Sequence, residues 1–157
     1  MRTLGADLRL PHGLALLVGP LLAVLVYAST LQGSFLSDDV LLNVILEDAG
    51  NPPGIDWAEV LADFHRGWLA LGESYLYWPM VTLSVAINYM LGGADPFGFH
   101  VFNVLFHAVA TFAAGLLCGL CCPYRPSLGA MLGGALFALH PAAAETTCWI
   151  AARNSGM

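Results

Sequence analysis

The chain has 157 residues, of which 58% are hydrophobic and only 10% are charged. Because soluble domains carry about 25% charged residues, this composition predicts an integral membrane protein and excludes an ordinary soluble domain. The formal net charge is −6 at pH 7, and the chain contains no lysine. A basic surface for nucleic acid is therefore not expected.

Long uncharged stretches predict three membrane spans, at about residues 13–31, 98–120 and 127–141. A helix rises about 1.5 Å per residue, so roughly 20 apolar residues cross the hydrocarbon core. The first stretch has a signal peptide as its alternative, with Arg2 and Arg9 as the basic end. Its length, its internal Pro20 and the lack of a clear cleavage site favour a retained span.

The arginines predict how these spans are oriented. Arg2 and Arg9 precede the first span, and Arg125 lies in the turn between the last two. The positive-inside rule places all three in the cytoplasm. The loop of residues 32–97 and the segment 142–157 then share the external or luminal face. A helix-like pattern runs up to Met157, so we expect the chain to be a segment of a larger protein.

Surface-lying helices are predicted within the long external loop. Apolar residues at i, i+3, i+4 and i+7 from Trp57 predict an amphipathic helix over Asp56–Leu71. Asp39–Ala49 is predicted as a shorter helix before it. Met80–Leu91 is about three turns long and carries polar residues, which favours a helix lying on the membrane surface. A short or tilted span is the alternative.

Two adjacent aspartates, Asp38 and Asp39, follow the first span directly. In the structural interpretation, Ser37 or Asp38 caps the following helix, and Asp39 interacts favourably with the dipole of its first turn. In the functional interpretation, one carboxylate at the membrane surface is a general base or a metal ligand. The dipeptide alone leaves both interpretations open.

A polar stripe runs along the second predicted span. His100, Asn103, His107 and Thr111 are spaced i, i+3, i+7 and i+11, so they share one face of an apolar helix. Polar groups within a span usually face the bundle interior and hydrogen-bond to neighbouring helices. Alternatively, His100, nearest the external end, faces a binding site, or the stripe lines a water path in a transporter.

The last segment combines an acidic, an aromatic and a basic residue. Glu145, Trp149 and Arg153 are spaced i, i+4 and i+8 after the helix-opening Pro141, so we expect them to share one helical face. That pattern suits a surface helix with an interfacial tryptophan. It also suits the binding of an anionic phosphate by the guanidinium of Arg153.

In their order along the chain, three segments resemble one known family. They are FLSDDV, beginning at Phe35; YWPMVTLSVAINYMLGGADPFGFHVFNVLFHAVAT, beginning at Tyr77; and ALFALHPAAAETTCWIAARN, beginning at Ala135. Together they resemble the N-terminal part of the transmembrane and tetratricopeptide-repeat O-mannosyltransferases and their bacterial relatives. These enzymes belong to the C-type, lipid-sugar-dependent glycosyltransferase superfamily. The chain departs from the family pattern at Trp78, where an arginine is common, and at Ser155, where an acidic residue is usual.

The resemblance implies an all-α membrane protein with about three transmembrane helices and surface-lying amphipathic helices in a large external loop. Residues 1–157 would form a single membrane domain, the N-terminal segment of a larger glycosyltransferase fold. The protein would be multi-pass, in the bacterial inner membrane or the endoplasmic reticulum membrane. The rival interpretations are a non-catalytic membrane assembly subunit and a small transporter fragment.

The resemblance also implies an activity and roles for individual residues. Enzymes of this family transfer a sugar, here mannose-like, from a polyprenyl phosphate to a protein hydroxyl or a glycan acceptor, with inversion. One of Asp38 and Asp39 would be the general base. The substrate-binding residues would be His100, Asn103, His140, Glu145 and Arg153. The involvement of a divalent cation is left open, and the residues predict no metal-ligand set.

Overall fold

The computed structural model describes residues 12–36, 39, 55–66 and 77–155. Its α-helices are α1 (His12–Tyr27), α2 (Trp57–Ala62), α3 (Pro79–Gly92), α4 (Pro96–Cys121), α5 (Pro126–Ala138) and α6 (Ala142–Cys148). Short 3-10 helices span Ala28–Gln32 and Ala151–Ser155. Every regular element in these residues is helical, which confirms the all-α fold class.

Two predicted loop helices fall partly outside the described residues. Of Asp39–Ala49, only Asp39 itself is described, so that helix stays a prediction. Of the helix predicted over Asp56–Leu71, only the first part is observed, as α2; residues 63–66 form turns instead, so the prediction is wrong there, and the residues after Arg66 lie outside the description. Asp56 caps α2 by accepting a hydrogen bond from the Ala58 amide (2.9 Å).

Two helical stretches, Gly13–Gln32 and Pro96–Cys121, are long and apolar enough to cross a membrane. They correspond to the first two predicted spans. The third prediction, 127–141, falls on α5, whose 13 residues reach only about 20 Å. A hydrocarbon core is about 30 Å thick, so α5 is long enough to cross only if it is combined with α6, from which it is bent by 65°. That pair is a broken span or a re-entrant loop rather than one straight helix.

Local sequence signals explain where the helices begin and end. Pro79 and Pro96 open α3 and α4, where the missing N–H of proline costs no hydrogen bond and its fixed φ suits the helix. Asp95 accepts a hydrogen bond from the Phe97 amide (3.1 Å) and caps α4. Gly93, with φ at 67°, ends α3 in a conformation that favours glycine.

The described helices belong to two compact units of the chain. The first unit comprises Met1–Val26 and Phe106–Pro141, and the second comprises Tyr27–Leu105 and Ala142–Met157. The long helix α4 contributes residues 96–105 to the second unit and its remaining residues to the first. The assignment of residues 1–157 to a single membrane domain stays a prediction.

Small residues let the helices of the first unit pack closely. A Cβ atom added at Gly19 of α1 would lie 2.8 Å from the Cα atom of Gly134 in α5. A Cβ atom added at Gly115 of α4 would lie 2.9 Å from the carbonyl oxygen of Ala130. Main chains approach this closely only where side chains are absent, which is a common way for membrane helices to associate.

His107 and Thr111, the second half of the polar stripe, also lie in the first unit. The Nε2 atom of His107 lies 3.3 Å from the carbonyl oxygen of Ala138 in α5. The His107 ring stacks on Phe137, with centroids 5.8 Å apart. Thr111 is fully buried and donates a hydrogen bond to the Ala108 carbonyl oxygen (2.7 Å). His107 therefore connects α4 to α5, in the way that the structural interpretation predicts, whereas the hydrogen bond of Thr111 stays within α4.

The second unit has an apolar core that joins the loop after α1 to the C-terminal segment. Val60, Val85, Phe99 and Ile150 are almost completely buried in it. The Phe35 ring packs edge-on against Phe99, with centroids 5.5 Å apart. Residues separated widely in sequence therefore meet around the N-terminal end of α4.

The buried face of helix α3 is mixed, and its exposed face is apolar. Thr82, Ser84 and Asn88 are buried beside Val81 and Val85, whereas Met90 and Leu91 are exposed. In a soluble protein, the exposed face of a helix is normally polar. The outer face of α3 thus suits contact with lipid, and its placement on the membrane surface stays a prediction. Its inner face supplies polar groups to the cluster that is described next.

Candidate functional site

Four of the predicted site residues are buried in the second unit: Asp39, His100, Asn103 and Arg153. All four are buried, with between 2% and 3% of each residue exposed. Buried polar groups are costly unless they find hydrogen-bond partners, so their contacts identify what the cluster is built to hold. Asp38, the other member of the acidic pair, lies outside the described residues.

Asp39 accepts hydrogen bonds from two main-chain amides that are far apart in sequence. Its Oδ2 atom accepts from the Leu36 amide at 2.9 Å, which is a local capping contact. Its Oδ1 atom accepts from the Ala151 amide at 2.7 Å, across 112 residues. The carboxylate therefore holds the beginning of the 3-10 helix Ala151–Ser155 against the loop after α1.

The guanidinium of Arg153 is surrounded by neutral oxygen atoms of α3 and α4. Nε donates to Oδ1 of Asn103 at 2.8 Å, and Nη1 donates to Oγ of Ser84 at 3.1 Å. Nη2 donates to Oδ1 of Asn88 at 3.4 Å and to the carbonyl oxygen of Phe99 at 3.3 Å. Four of the five guanidinium N–H groups are thus directed at protein atoms.

Burial lowers the pKa of Arg153 to about 10, and the negative charge of Asp39 opposes that shift. Because this pKa is still well above neutral pH, the guanidinium is charged at pH 7. The Phe102 ring centroid lies 4.9 Å from the guanidinium carbon, close enough for a cation–π contact. The cluster therefore contains a lasting positive charge that is stabilised by dipoles, by an aromatic face and by one carboxylate.

Asn103 uses both ends of its side-chain amide. Its Oδ1 atom accepts from Arg153, and its Nδ2 atom lies 3.5 Å from the Thr147 carbonyl oxygen and 3.4 Å from that of Trp149. The two Nδ2 contacts are long and therefore weak. Asn103 thus connects α4 both to the last turn of α6 and to the residue that follows α6.

His100 is almost fully buried, and its ring nitrogens have few polar neighbours among the described residues. Neither Nδ1 nor Nε2 forms a hydrogen bond of ordinary geometry within the described part of the chain, although the main chain of Ser34 lies near the ring. A Cβ atom added at Gly33 would lie 2.7 Å from His100 Nε2, so only glycine leaves room for the ring. A buried imidazole without partners is costly, and such a group can bind a ligand hydroxyl or phosphate oxygen.

His140 and Glu145 are both exposed, in contrast to the buried cluster. His140 lies in the first unit, and Glu145 lies in the first turn of α6 in the second unit. The expectation that Glu145, Trp149 and Arg153 share one helical face is wrong. Helix α6 ends at Cys148, and the chain turns before Arg153, so Glu145 faces outward while Arg153 is buried.

Three residues of the cluster received no role from the sequence. Ser84 and Asn88 are acceptors for Arg153, and Gly33 makes room for His100. The spacing of Ser84 and Asn88, i and i+4 on an otherwise apolar helix, is a signal that they share a buried polar face. The sequence carries no comparable signal for Gly33, because its environment depends on a residue 67 positions later.

The described residues contain no group of three or more His, Cys, Asp or Glu side chains that could hold a metal ion. Chemically, the described part of the cluster combines a carboxylate, a guanidinium, an imidazole, a hydroxyl and the two side-chain amides of Asn88 and Asn103 in a buried setting. Such groups can orient a polar ligand and can stabilise negative charge on it.

Comparisons with known proteins give relatives over most of the chain. It is 35% identical over 134 residues to protein O-mannosyl-transferase Tmtc1 of Drosophila melanogaster, which covers 84% of this chain and 15% of that protein. It is 32% identical over 143 residues to protein O-mannosyl-transferase tmtc2 of Xenopus laevis. That alignment covers 89% of this chain and 16% of the relative. It is 31% identical over 153 residues to human protein O-mannosyl-transferase TMTC1, and that alignment covers 97% of this chain and 17% of the relative.

The chain therefore spans about one sixth of the length of these relatives. No family model matches it, and no solved structure matches it.

Proposed function

Because the chain belongs, over most of its own length, to the TMTC-like family of protein O-mannosyl-transferases, we propose that it forms the N-terminal part of a polytopic membrane glycosyltransferase. The enzyme transfers a mannose-like sugar from a polyprenyl phosphate to a protein hydroxyl or a glycan, with inversion at the anomeric carbon. The observation that carries this proposal is an identity of 31–35% spread over 84–97% of the chain. The apolar helices support a lipid-linked donor.

In the proposed reaction, one carboxylate of the acidic pair Asp38/Asp39 acts as general base. It takes the proton of the acceptor hydroxyl while that oxygen bonds to the anomeric carbon. The bond between this carbon and the phosphate oxygen breaks, and the polyprenyl phosphate leaves with the electron pair. Attack on the face opposite the leaving group gives inversion, and a positioned base contributes about 100- to 10,000-fold to such a step.

The buried polar cluster supports a substrate-binding role for the N-terminal end of α4. His100 has ring nitrogens without hydrogen bonds among the described residues, and Asn103 stands one turn further along the same face. A sugar hydroxyl or a phosphate oxygen would supply the missing partner of His100. His140 and Glu145, being exposed, remain proposed contacts to the acceptor or to the donor headgroup.

The test is sugar transfer by membranes from cells that express the complete reading frame. The donor is radiolabelled polyprenyl-phosphate mannose, and the acceptor is a peptide rich in serine and threonine. We expect at least one of Asp38→Asn and Asp39→Asn to lower the transfer rate by about 100-fold or more at an unchanged level of membrane insertion.

A matched control for this test is Asp95→Asn. Asp95 is exposed and caps α4, and asparagine caps a helix about as well. Near-normal transfer by both variants of the acidic pair would contradict a general base at this position. Loss of transfer in the control as well would point to general damage by the substitutions.

A non-catalytic assembly subunit is the second candidate function. The observation that favours it is that Asp39 and Arg153 are both bound to atoms of the chain itself. A subunit would give no transfer with any donor and would instead be required for the amount of a partner protein in the membrane. Quantifying the membrane proteins that disappear when the gene is deleted separates the two functions.

A further inference from the structure

We propose that Asp39 and Arg153 form a two-point clamp on the segment Ala151–Ser155, and that both are positioning residues of the proposed site. In this clamp, the carboxylate binds the first amide of the segment, and the guanidinium fixes the segment to α3 and α4. The clamp adds detail to the proposed glycosyltransferase function. Its effect on catalysis rests on that function. It assigns to Arg153 a role other than binding the donor phosphate.

The contacts of Asp39 are those of a residue that organises the main chain. Each of its carboxylate oxygens accepts an amide hydrogen bond, at 2.9 Å from Leu36 and at 2.7 Å from Ala151. Only 2% of the residue is exposed. Protonation during catalysis would weaken both hydrogen bonds, because an ionised acceptor binds amides more strongly than a neutral one. A carboxylate in this setting is better suited to holding the loop than to exchanging protons with a substrate.

The contacts of Arg153 leave little of its guanidinium for a ligand. Its donors reach acceptors on α3, at Ser84 and Asn88, and on α4, at Asn103 and Phe99. A planar fork can satisfy acceptors in these different directions at once, whereas a lysine ammonium is a compact point charge. Binding a phosphate would require Arg153 to release several of these acceptors inside a buried cluster.

The clamp connects parts of the chain that are distant in sequence. The Asp39–Ala151 hydrogen bond spans 112 residues, and the Arg153–Ser84 hydrogen bond spans 69. The residue before Asp39 is Asp38, the other member of the acidic pair. The clamp therefore couples the position of Asp39, the neighbour of Asp38 in the acidic pair, to α3 and α4 through the segment Ala151–Ser155.

Hydrogen exchange of the protein in detergent micelles, followed by mass spectrometry of the peptide covering residues 149–155, tests the clamp without requiring activity. We expect Asp39→Asn and Arg153→Met to accelerate exchange in this peptide by tenfold or more, whereas the Asp95→Asn control leaves it unchanged. Ser84→Ala keeps both charged groups and removes one acceptor, so it should give a smaller acceleration. Unchanged exchange in Ser84→Ala and Arg153→Lys would overturn the clamp, even if the other variants fail to fold.

Steady-state transfer kinetics separate positioning from phosphate binding. For the clamp, Arg153→Lys lowers kcat and accelerates exchange of peptide 149–155, with the KM for the polyprenyl-phosphate donor changed less than twofold. A rise in the donor KM at unchanged kcat and unchanged exchange would identify a phosphate ligand and overturn the proposal. If the unmodified protein transfers no sugar, the proposed function fails, and the exchange data alone still decide whether the clamp exists.

Discussion

Replacing Gly19 by alanine tests whether direct contact of main chains holds the first unit together. The new Cβ atom would lie 2.8 Å from Cα, 2.9 Å from the carbonyl carbon and 3.0 Å from the carbonyl oxygen of Gly134. Carbon atoms normally approach to about 3.5–4.0 Å. All three neighbours are main-chain atoms, so no side chain can rotate away, and α1 and α5 must separate locally.

The size of the effect follows from two opposing contributions. Overpacking a close contact costs about 1–3 kcal/mol, while the exchange of glycine for alanine in a helix gains up to about 1 kcal/mol. Gly13 provides a matched control on the same helix, because a Cβ atom there would meet nothing within 4 Å. Gly13→Ala should therefore stabilise slightly, and because the gain in helix propensity is common to both variants, the two should differ by the overpacking cost of about 1–3 kcal/mol.

The assay is reversible unfolding in mixed micelles with an increasing mole fraction of dodecyl sulfate, followed by the far-ultraviolet circular dichroism of the helices. Gly19→Ala should unfold at a lower mole fraction than the unmodified protein, and Gly13→Ala at the same or a higher one. Equal midpoints for the two variants would refute the packing argument. A midpoint that falls for Gly13→Ala but not for Gly19→Ala would contradict the packing argument directly.

Two further substitutions test contacts of the second unit. Thr82→Val removes the 2.6 Å hydrogen bond from the Thr82 hydroxyl to Oδ2 of the buried Asp63, and should lower the free energy of unfolding by about 1–3 kcal/mol; Thr82→Ser, which keeps the hydroxyl, should lose much less in the same micelle titration. Gly33→Ala places a methyl group 2.7 Å from His100 Nε2 and should reduce sugar transfer at least tenfold. Gly92→Ala, whose new Cβ atom would lie 3.9 Å from Gly98 Cα, should leave transfer unchanged. Equal transfer rates for the two variants would show that His100 tolerates displacement.

Apolar length and spacing explain why the spans and the family could be predicted from the sequence. Hydropathy measures how apolar a stretch of sequence is, so the spans Gly13–Gln32 and Pro96–Cys121 were predictable to within a few residues. The family resemblance, taken from three ordered segments, is confirmed by relatives that cover most of the chain. The spacing of the stripe from His100 to Thr111 also predicted that these side chains are buried.

Tertiary contacts explain what the sequence could not predict. The i, i+4, i+8 pattern from Glu145 assumes one continuous helix. No glycine or proline near Cys148 indicates that α6 ends there. The burial of Arg153 depends on acceptors supplied by Ser84, Asn88 and Asn103, which precede it by 50 to 69 residues. The hydrogen bond from the Ala151 amide to Asp39 could not be predicted either, because the donor is a main-chain group 112 residues away.

The hydrogen bond from Ala151 to Asp39 has a consequence for how the protein is made. Chains grow at roughly 5–20 residues per second, so Asp39 leaves the ribosome about 6–22 s before the amide that it binds, 112 residues later. During that interval the carboxylate must be satisfied by water or by another group, and the loop that carries it stays unfinished. The second unit can close only after α4, α5 and α6 have been delivered to the membrane, which makes its completion a late step of biogenesis.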